Sequence, residues 1–136
     1  MKRIRQSHIK EMIDHAKEHD PNECCGILAG TGEDITHLYR VKNSTPSPFR
    51  YVMDPKEQLE VMKNAEEKGL ELMCFYHSHT HTPAFPSDTD IRMAVESGWV
   101  DFAYALVSLE EKDKPKVNFF MIDSEGTVIP EDYAVV

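Results

Sequence analysis

Several things are scarce in this chain, and each scarcity excludes something. No apolar run in its 136 residues approaches the roughly 20 that a membrane-spanning helix needs. The N-terminus opens with basic residues (Lys2, Arg3, Arg5), but no apolar stretch follows, so it does not read as a secretory signal. Cysteine occurs three times, as Cys24, Cys25 and Cys74. An odd number with two adjacent makes a poor disulfide framework and points to a reducing cytoplasm. Positive charge is in deficit, with 15 Lys and Arg against 24 Asp and Glu and a net charge of −9. That balance argues against a nucleic-acid surface, and its plainest consequence is solubility. Repeats, linkers and low-complexity segments are absent too. What remains is 40% hydrophobic and 29% charged. This is ordinary globular usage, read as one domain over residues 1–136 with enough chain to bury a core.

Hydrophobic spacing predicts the elements. Ile9, Met12, Ile13 and Ala16 follow a helical period over residues 7–20, with Ser7 as candidate N-cap. Asp20-Pro21-Asn22 ends that helix. A short apolar strand starts near Glu23 and runs to Gly30. A turn leads into a second strand over 35–41, its hairpin partner. Residues 43–49 are a polar loop, and 49–53 read as a short edge strand. Asp54-Pro55-Lys56-Glu57 is a helix start, with Leu59, Met62 and Ala65 as its buried stripe and Gly69 as its stop. Leu70 to Tyr76 is apolar nearly throughout, as suits a central strand covered on both faces. Ser87 opens a third helix, with Ile91, Ala94 and Val95 inward and Gly98 closing it. A buried strand over 100–109 and a final hairpin over 117–122 and 127–129 complete the chain. Strands interleaved with helices, together with hairpins, imply a layered α/β domain with a mixed sheet.

Three of the seven histidines stand at alternate positions, His77, His79 and His81, where the apolar run stops. In an extended chain, residues i and i+2 project from one face, so His77 and His79 point together. Two neutral imidazoles side by side are a natural start to a zinc site, which usually adds a third protein ligand and leaves one position for water. Asp90 is the best third ligand, on the first turn of the helix that Ser87 opens. That helix N-terminus also favours the charged carboxylate and could help hold an oxyanion. Ser87-x-x-Asp90 is equally a capping-box pattern that needs no metal. His81 is a rival third ligand, although Thr82 precedes a proline and the strand should break there. Cys25 is another rival, because thiolates bind zinc well, but cysteine more often fills a core. Ser78 reads as a small inward-packed residue rather than a nucleophile. Cys74 should face away from His77, into the core.

The complete pattern resembles the JAMM (MPN+, Mov34-type) zinc metalloprotease family. His77-Ser78-His79 is followed by seven residues, Ser87, two residues and Asp90. Upstream, Pro21-Asn-Glu-Cys-Cys-Gly-Ile-Leu-Ala-Gly30 resembles the segment that carries the family's glutamate. The resemblance implies a cytidine-deaminase-like α/β/α fold of JAB1/MPN type. It implies His77, His79 and Asp90 as Zn2+ ligands, Glu23 as general acid/base on the zinc's water, and Ser87 as the donor to the tetrahedral oxyanion. Glu23 could not be picked out without it. Among family members the chain looks most like short prokaryotic ones that process sulfur carriers. Their substrates are ubiquitin-like or ThiS/MoaD-like proteins cut after a C-terminal Gly-Gly, with a peptide, isopeptide or aminoacyl bond. A tail of that kind would add as a strand to the 49–53 edge. Two other readings compete: a catalytically silent scaffold of the same fold, and another zinc amidohydrolase. Zinc deaminases use His-x-Glu with Pro-Cys-x-x-Cys, and neither occurs here.

Overall fold

The computed structural model describes residues 1–136. In chain order the elements are β1 (Arg3–Ile4), α1 (Gln6–His19), β2 (Cys25–Thr31), β3 (Asp34–Val41), α2 (Pro55–Glu67) and β4 (Glu71–His79). They continue with α3 (Asp88–Ser97), β5 (Phe102–Ser108), β6 (Lys116–Ile122), β7 (Val128–Glu131) and β8 (Ala134–Val135). One eight-stranded sheet takes the order β7-β6-β5-β4-β2-β3-β1-β8. It is mixed: β4 and β5 run parallel, while β2 pairs antiparallel with both β3 and β4.

The helices cover both faces. Met12 and Ala16 of α1 pack on Cys74, Tyr76, Ala103, Ala105 and Val107. Val61 of α2 and Ala94 of α3 pack with Cys25, Ile27, Phe75 and Tyr104 on the opposite face. Alternation along β4 and β5 explains the division, since odd and even positions serve different layers. The expected α/β/α layering with a mixed sheet is what forms. β4 lies near the centre, and every residue from Met73 to His79 is buried.

Several boundaries differ from expectation, for local reasons. α1 begins at Gln6, so Ser7 lies inside it, and the N-cap is Arg5 with no side-chain cap. Val61 and Ala65 form the buried side of α2, whereas Leu59 and Met62 are 51% and 38% exposed. Ala65 is buried as expected, while Val61 takes the place expected of Met62. Val95 of α3 is also outward, leaving Ala94 as that helix's buried residue. The start of α2 forms as read, with Asp54 Oδ2 accepting the Glu57 N–H at 3.1 Å. Gly69 (φ +70°) and Gly98 (φ +81°) sit in the left-handed region at the ends of α2 and α3.

Residues 49–53 are not a strand. A single bridge joins Asn43 to Met53, and the rest is loop. The side chain of Asn43 replaces a ladder: its Oδ1 accepts the N–H groups of Val52 (3.0 Å) and Thr45 (3.1 Å). The Val52 carbonyl accepts Ser44 N–H at 2.8 Å. The backbone of Val52 is therefore spent inside the loop and offers no open edge to an added strand.

Candidate metal centre

β4 ends on His77-Ser78-His79, so strand pleating places both imidazoles on the face that carries Phe75. Their Nε2 atoms are 3.3 Å apart. Asp90 Oδ2 reaches them from the first turn of α3, at 3.1 Å from His77 Nε2 and 2.9 Å from His79 Nε2. Three ligand atoms of two imidazoles and one carboxylate thus converge, all within 4.8 Å of one another. Bonds of about 2.0–2.1 Å in tetrahedral array put neighbouring ligand atoms roughly 3.3 Å apart, so the donor set fits zinc. The arrangement can hold a divalent metal ion.

The surroundings orient these groups. His79 Nδ1 donates to the Pro83 carbonyl at 2.9 Å, which leaves the Nε2 lone pair facing the cluster. His77 Nδ1 has no hydrogen-bond partner. Its ring is held instead by Tyr51, stacked with centroids 4.3 Å apart and planes 27° from parallel. Burial lowers the His77 pKa despite the nearby Asp90. For Asp90, burial opposes ionisation, but His77, His79 and the Ser87 N–H outweigh it and hold the carboxylate well below its usual range.

Asp90 serves two purposes with one oxygen. Oδ2 accepts the Ser87 N–H at 2.9 Å, and Ser87 Oγ accepts the Asp90 N–H at 3.0 Å. The capping box and the candidate ligand are the same carboxylate, so the helix start fixes the third ligand atom. Ser87 lies beside it with its oxygen used as an acceptor and its hydroxyl proton free to donate.

Glu23 stands just before β2, buried, with Oε1 unpaired. Burial pushes its pKa up to about 8; the nearby His79 lowers it and Asp90 raises it further. Its backbone is pinned at both ends, the N–H to the Ser47 carbonyl (2.8 Å) and the C=O to Asn43 Nδ2 (3.1 Å). Ser78, on the other face of β4, ties this segment to the histidines. Its Oγ accepts the Cys24 N–H at 2.8 Å, and its N–H donates to the Cys24 carbonyl at 3.1 Å. A buried carboxyl group with a raised pKa, within electrostatic reach of His79 and Asp90, has the environment of a group that can exchange protons.

The rivals fall outside the cluster. His81 is exposed and its Nδ1 pairs with Thr80 Oγ1 at 2.8 Å. Cys25 Sγ is buried against the Val41 carbonyl, and Cys74 packs in the core under α1. Sequence reasoning missed Asn43 and Tyr51. An asparagine opening a proline-containing loop is a turn signal, but nothing local marked Tyr51 as the neighbour of His77. Between the 51–53 segment and α3 lies an apolar groove of 170 Å³ lined by Val52, Met53, Met93 and Trp99; Tyr51 and Asp90 also line it. This groove, rather than a free strand edge, borders Asp90 of the candidate centre.

Comparison with known proteins agrees with this geometry. The family described as prokaryotic homologs of the JAB domain matches residues 5–123. A CysO-cysteine peptidase of Mycobacterium tuberculosis is 36% identical over 135 residues, covering 98% of this chain and 90% of that protein. A probable TtuB-protein conjugate cleaving protease of Thermus thermophilus is 37% identical over 87 residues, 63% of this chain and 58% of that one. The solution structure of a Desulfitobacterium hafniense protein superposes with a TM-score of 0.88 at 34% identity, covering 100% of this chain and 93% of that one. A JAB1/MPN domain protein from Archaeoglobus fulgidus shares the fold, with a TM-score of 0.60 at 19% identity and coverage of 100% and 99%. The resemblance read from the motif is borne out, and the chain belongs to the family of prokaryotic JAB-domain homologs.

Proposed function

We propose that this chain is a zinc-dependent peptidase or isopeptidase that hydrolyses the bond after the C-terminal Gly-Gly of a ubiquitin-like or sulfur-carrier protein of ThiS/MoaD type. The observation that carries the reading is the convergence of His77 Nε2, His79 Nε2 and Asp90 Oδ2 at the end of a buried strand, with the buried, unpaired Glu23 carboxyl close enough to His79 and Asp90 to feel their charges. The names of the relatives, a CysO-cysteine peptidase and a conjugate cleaving protease, support the substrate class. The chain's three thiols are free and buried, which suits a reducing cytoplasm. No helix is long and apolar enough to cross a membrane.

His77, His79 and Asp90 would hold the zinc ion. When bound, zinc supplies Lewis-acid charge that brings the pKa of water toward about 7. The remaining work falls to this chain's side chains. Glu23 takes a proton from the attacking water and passes it to the leaving nitrogen as the C–N bond breaks. Ser87 donates its hydroxyl proton to the carbonyl oxygen as charge gathers there, a contact of the kind worth about 2.7–4 kcal/mol. The groove beside Tyr51 and Asp90 receives the extended tail, and glycines at its metal end carry no side chain to collide with the Tyr51 ring.

Metal analysis of the purified protein should find about one zinc per chain. Glu23→Gln should keep that zinc and lose cleavage of a fusion joined through Gly-Gly. A zinc-loaded wild type that cleaves no Gly-Gly-linked substrate, whether peptide, isopeptide or aminoacyl, would overturn the reading.

A further inference from the structure

Of the two imidazoles in the cluster, only that of His79 has a hydrogen-bond partner on its far nitrogen, the Pro83 carbonyl at 2.9 Å. Pro83 sits in the loop of residues 80–86, which forms neither helix nor strand. As a proline it has no N–H of its own with which to anchor itself. Its neighbours are anchored instead. Ser108 Oγ donates to the Thr82 carbonyl at 2.6 Å, and Asn118 Nδ2 donates to the Ala84 carbonyl at 3.2 Å. The Phe85 N–H closes a tight turn onto the Pro83 carbonyl at 2.8 Å. The carbonyls on either side of the one that His79 uses are therefore each held by a side chain.

Both clamps come from the β5–β6 pair. Ser108 stands across from His79 in the parallel β4–β5 register and is 4% exposed. Its oxygen also accepts the Glu110 N–H at 3.2 Å, and the Leu109 N–H holds the His79 carbonyl at 2.9 Å. Apolar packing secures only part of the loop. Ala84 clusters with Leu106 and Phe120, and Phe85 meets Phe120 edge-on with centroids 5.3 Å apart. Elsewhere the loop borders a cavity of 460 Å³, lined by Pro83, Ala84, Phe85, Ser108 and Asn118 among others. On that side hydrogen bonds, not packed side chains, hold the backbone. We propose that Ser108 and Asn118 are positioning residues for the metal centre: they fix the Pro83 carbonyl, and through it the ring of His79. The inference rests on the metal-ligand reading above and deepens it. An outer hydrogen bond sets both the tautomer and the ring orientation of a ligating histidine, so a loosened carbonyl costs metal affinity.

The test titrates metal-free protein with zinc, in competition with a chromophoric chelator, and with cobalt(II), whose visible absorption reports ligand geometry. Wild type should take up about one ion per chain. Ser108→Ala should bind about tenfold more weakly, the lower end of what losing an outer partner costs. Asn118→Asp keeps the shape but loses the donor, and should bind about threefold more weakly, as one net hydrogen bond allows. Asn118 is exposed, so this variant keeps the test open if Ser108→Ala does not fold. The cobalt spectra of both variants should differ from wild type. Because both side chains act on one carbonyl, the double variant should lose less than the product of the two losses. Tyr39→Phe breaks the 2.7 Å Tyr39–Asn64 hydrogen bond between β3 and α2, and should lower stability with metal affinity unchanged. Unchanged affinity in both single variants overturns the positioning role, as do losses that multiply in full or an equal loss in Tyr39→Phe. A wild type that takes up neither ion would instead sink the metal centre itself, and the proposal with it.

Discussion

Ser78 Oγ accepts the Cys24 N–H at 2.8 Å, so the strand that carries the two histidines and the segment that carries Glu23 share one side-chain hydrogen bond. Removing that acceptor leaves a buried N–H without a partner, at a cost of about 1–3 kcal/mol. Ser78→Ala should therefore retain zinc yet lose kcat, because Glu23 is no longer held at a fixed distance from the cluster. Ser78→Thr keeps the oxygen and should recover most of the loss. Full kcat in Ser78→Ala would mean that the Ser47 and Asn43 contacts suffice.

Tyr51 is the orienting neighbour of His77, whose Nδ1 lacks a hydrogen bond. Losing an outer partner of a metal ligand commonly costs about 10–100-fold in metal affinity. Zinc titration should show Tyr51→Ala weakened by about tenfold, with Tyr51→Phe close to wild type because the ring stack survives. If both variants bind equally tightly, the stack does not position the ligand.

Gly26 lies across from Tyr76 in the β2–β4 pair. A methyl group there would fall inside the van der Waals envelope of the Tyr76 ring. Tyr76 is fully buried and has no room to withdraw. Gly26→Ala should lower unfolding free energy by about 1–3 kcal/mol or more, read from the denaturant midpoint. An unchanged midpoint would show that β2 can move away from the ring.

His15 should make stability depend on pH. Its ring is buried against Tyr76, with Nδ1 2.7 Å from the phenol oxygen. Burial, aided by the nearby Arg40, lowers its pKa to about 4. The unfolded chain, with an ordinary histidine pKa near 6.5, binds the proton first on acidification. The stabilisation is complete above about pH 6.5 and is lost as pH falls toward 4, on the order of 2–3 kcal/mol in all. His15→Gln cannot titrate. Denaturation at pH 7.5 and pH 5 should show a smaller loss in the variant, and taking the difference cancels groups such as Glu23. Equal losses would show that His15 is not the group responsible.

Element order and the convergence of His77, His79 and Asp90 were legible in the sequence because both rest on short-range rules. Period-2 projection aligns His77 with His79, and the same Ser87–Asp90 spacing serves the cap and the cluster. Glu23 was legible only through resemblance, since a single glutamate at a loop end has no periodicity to mark it. The two-residue strands β1 and β8 escaped because pairing alone makes them strands: Arg3 pairs with Ala134 and Ile4 with Val135. The supposed strand at 49–53 failed for the opposite reason. Its residues have strand propensity, but the Asn43 side chain captures the Val52 N–H that a ladder would need.

Asn43 holds more than a loop. One amide side chain bonds the carbonyl of Glu23 through Nδ2 and the N–H of Val52 through Oδ1. The wall of the groove and the segment that carries Glu23 therefore share one hinge pin, and Asn43→Ala would cut both loose in a single substitution.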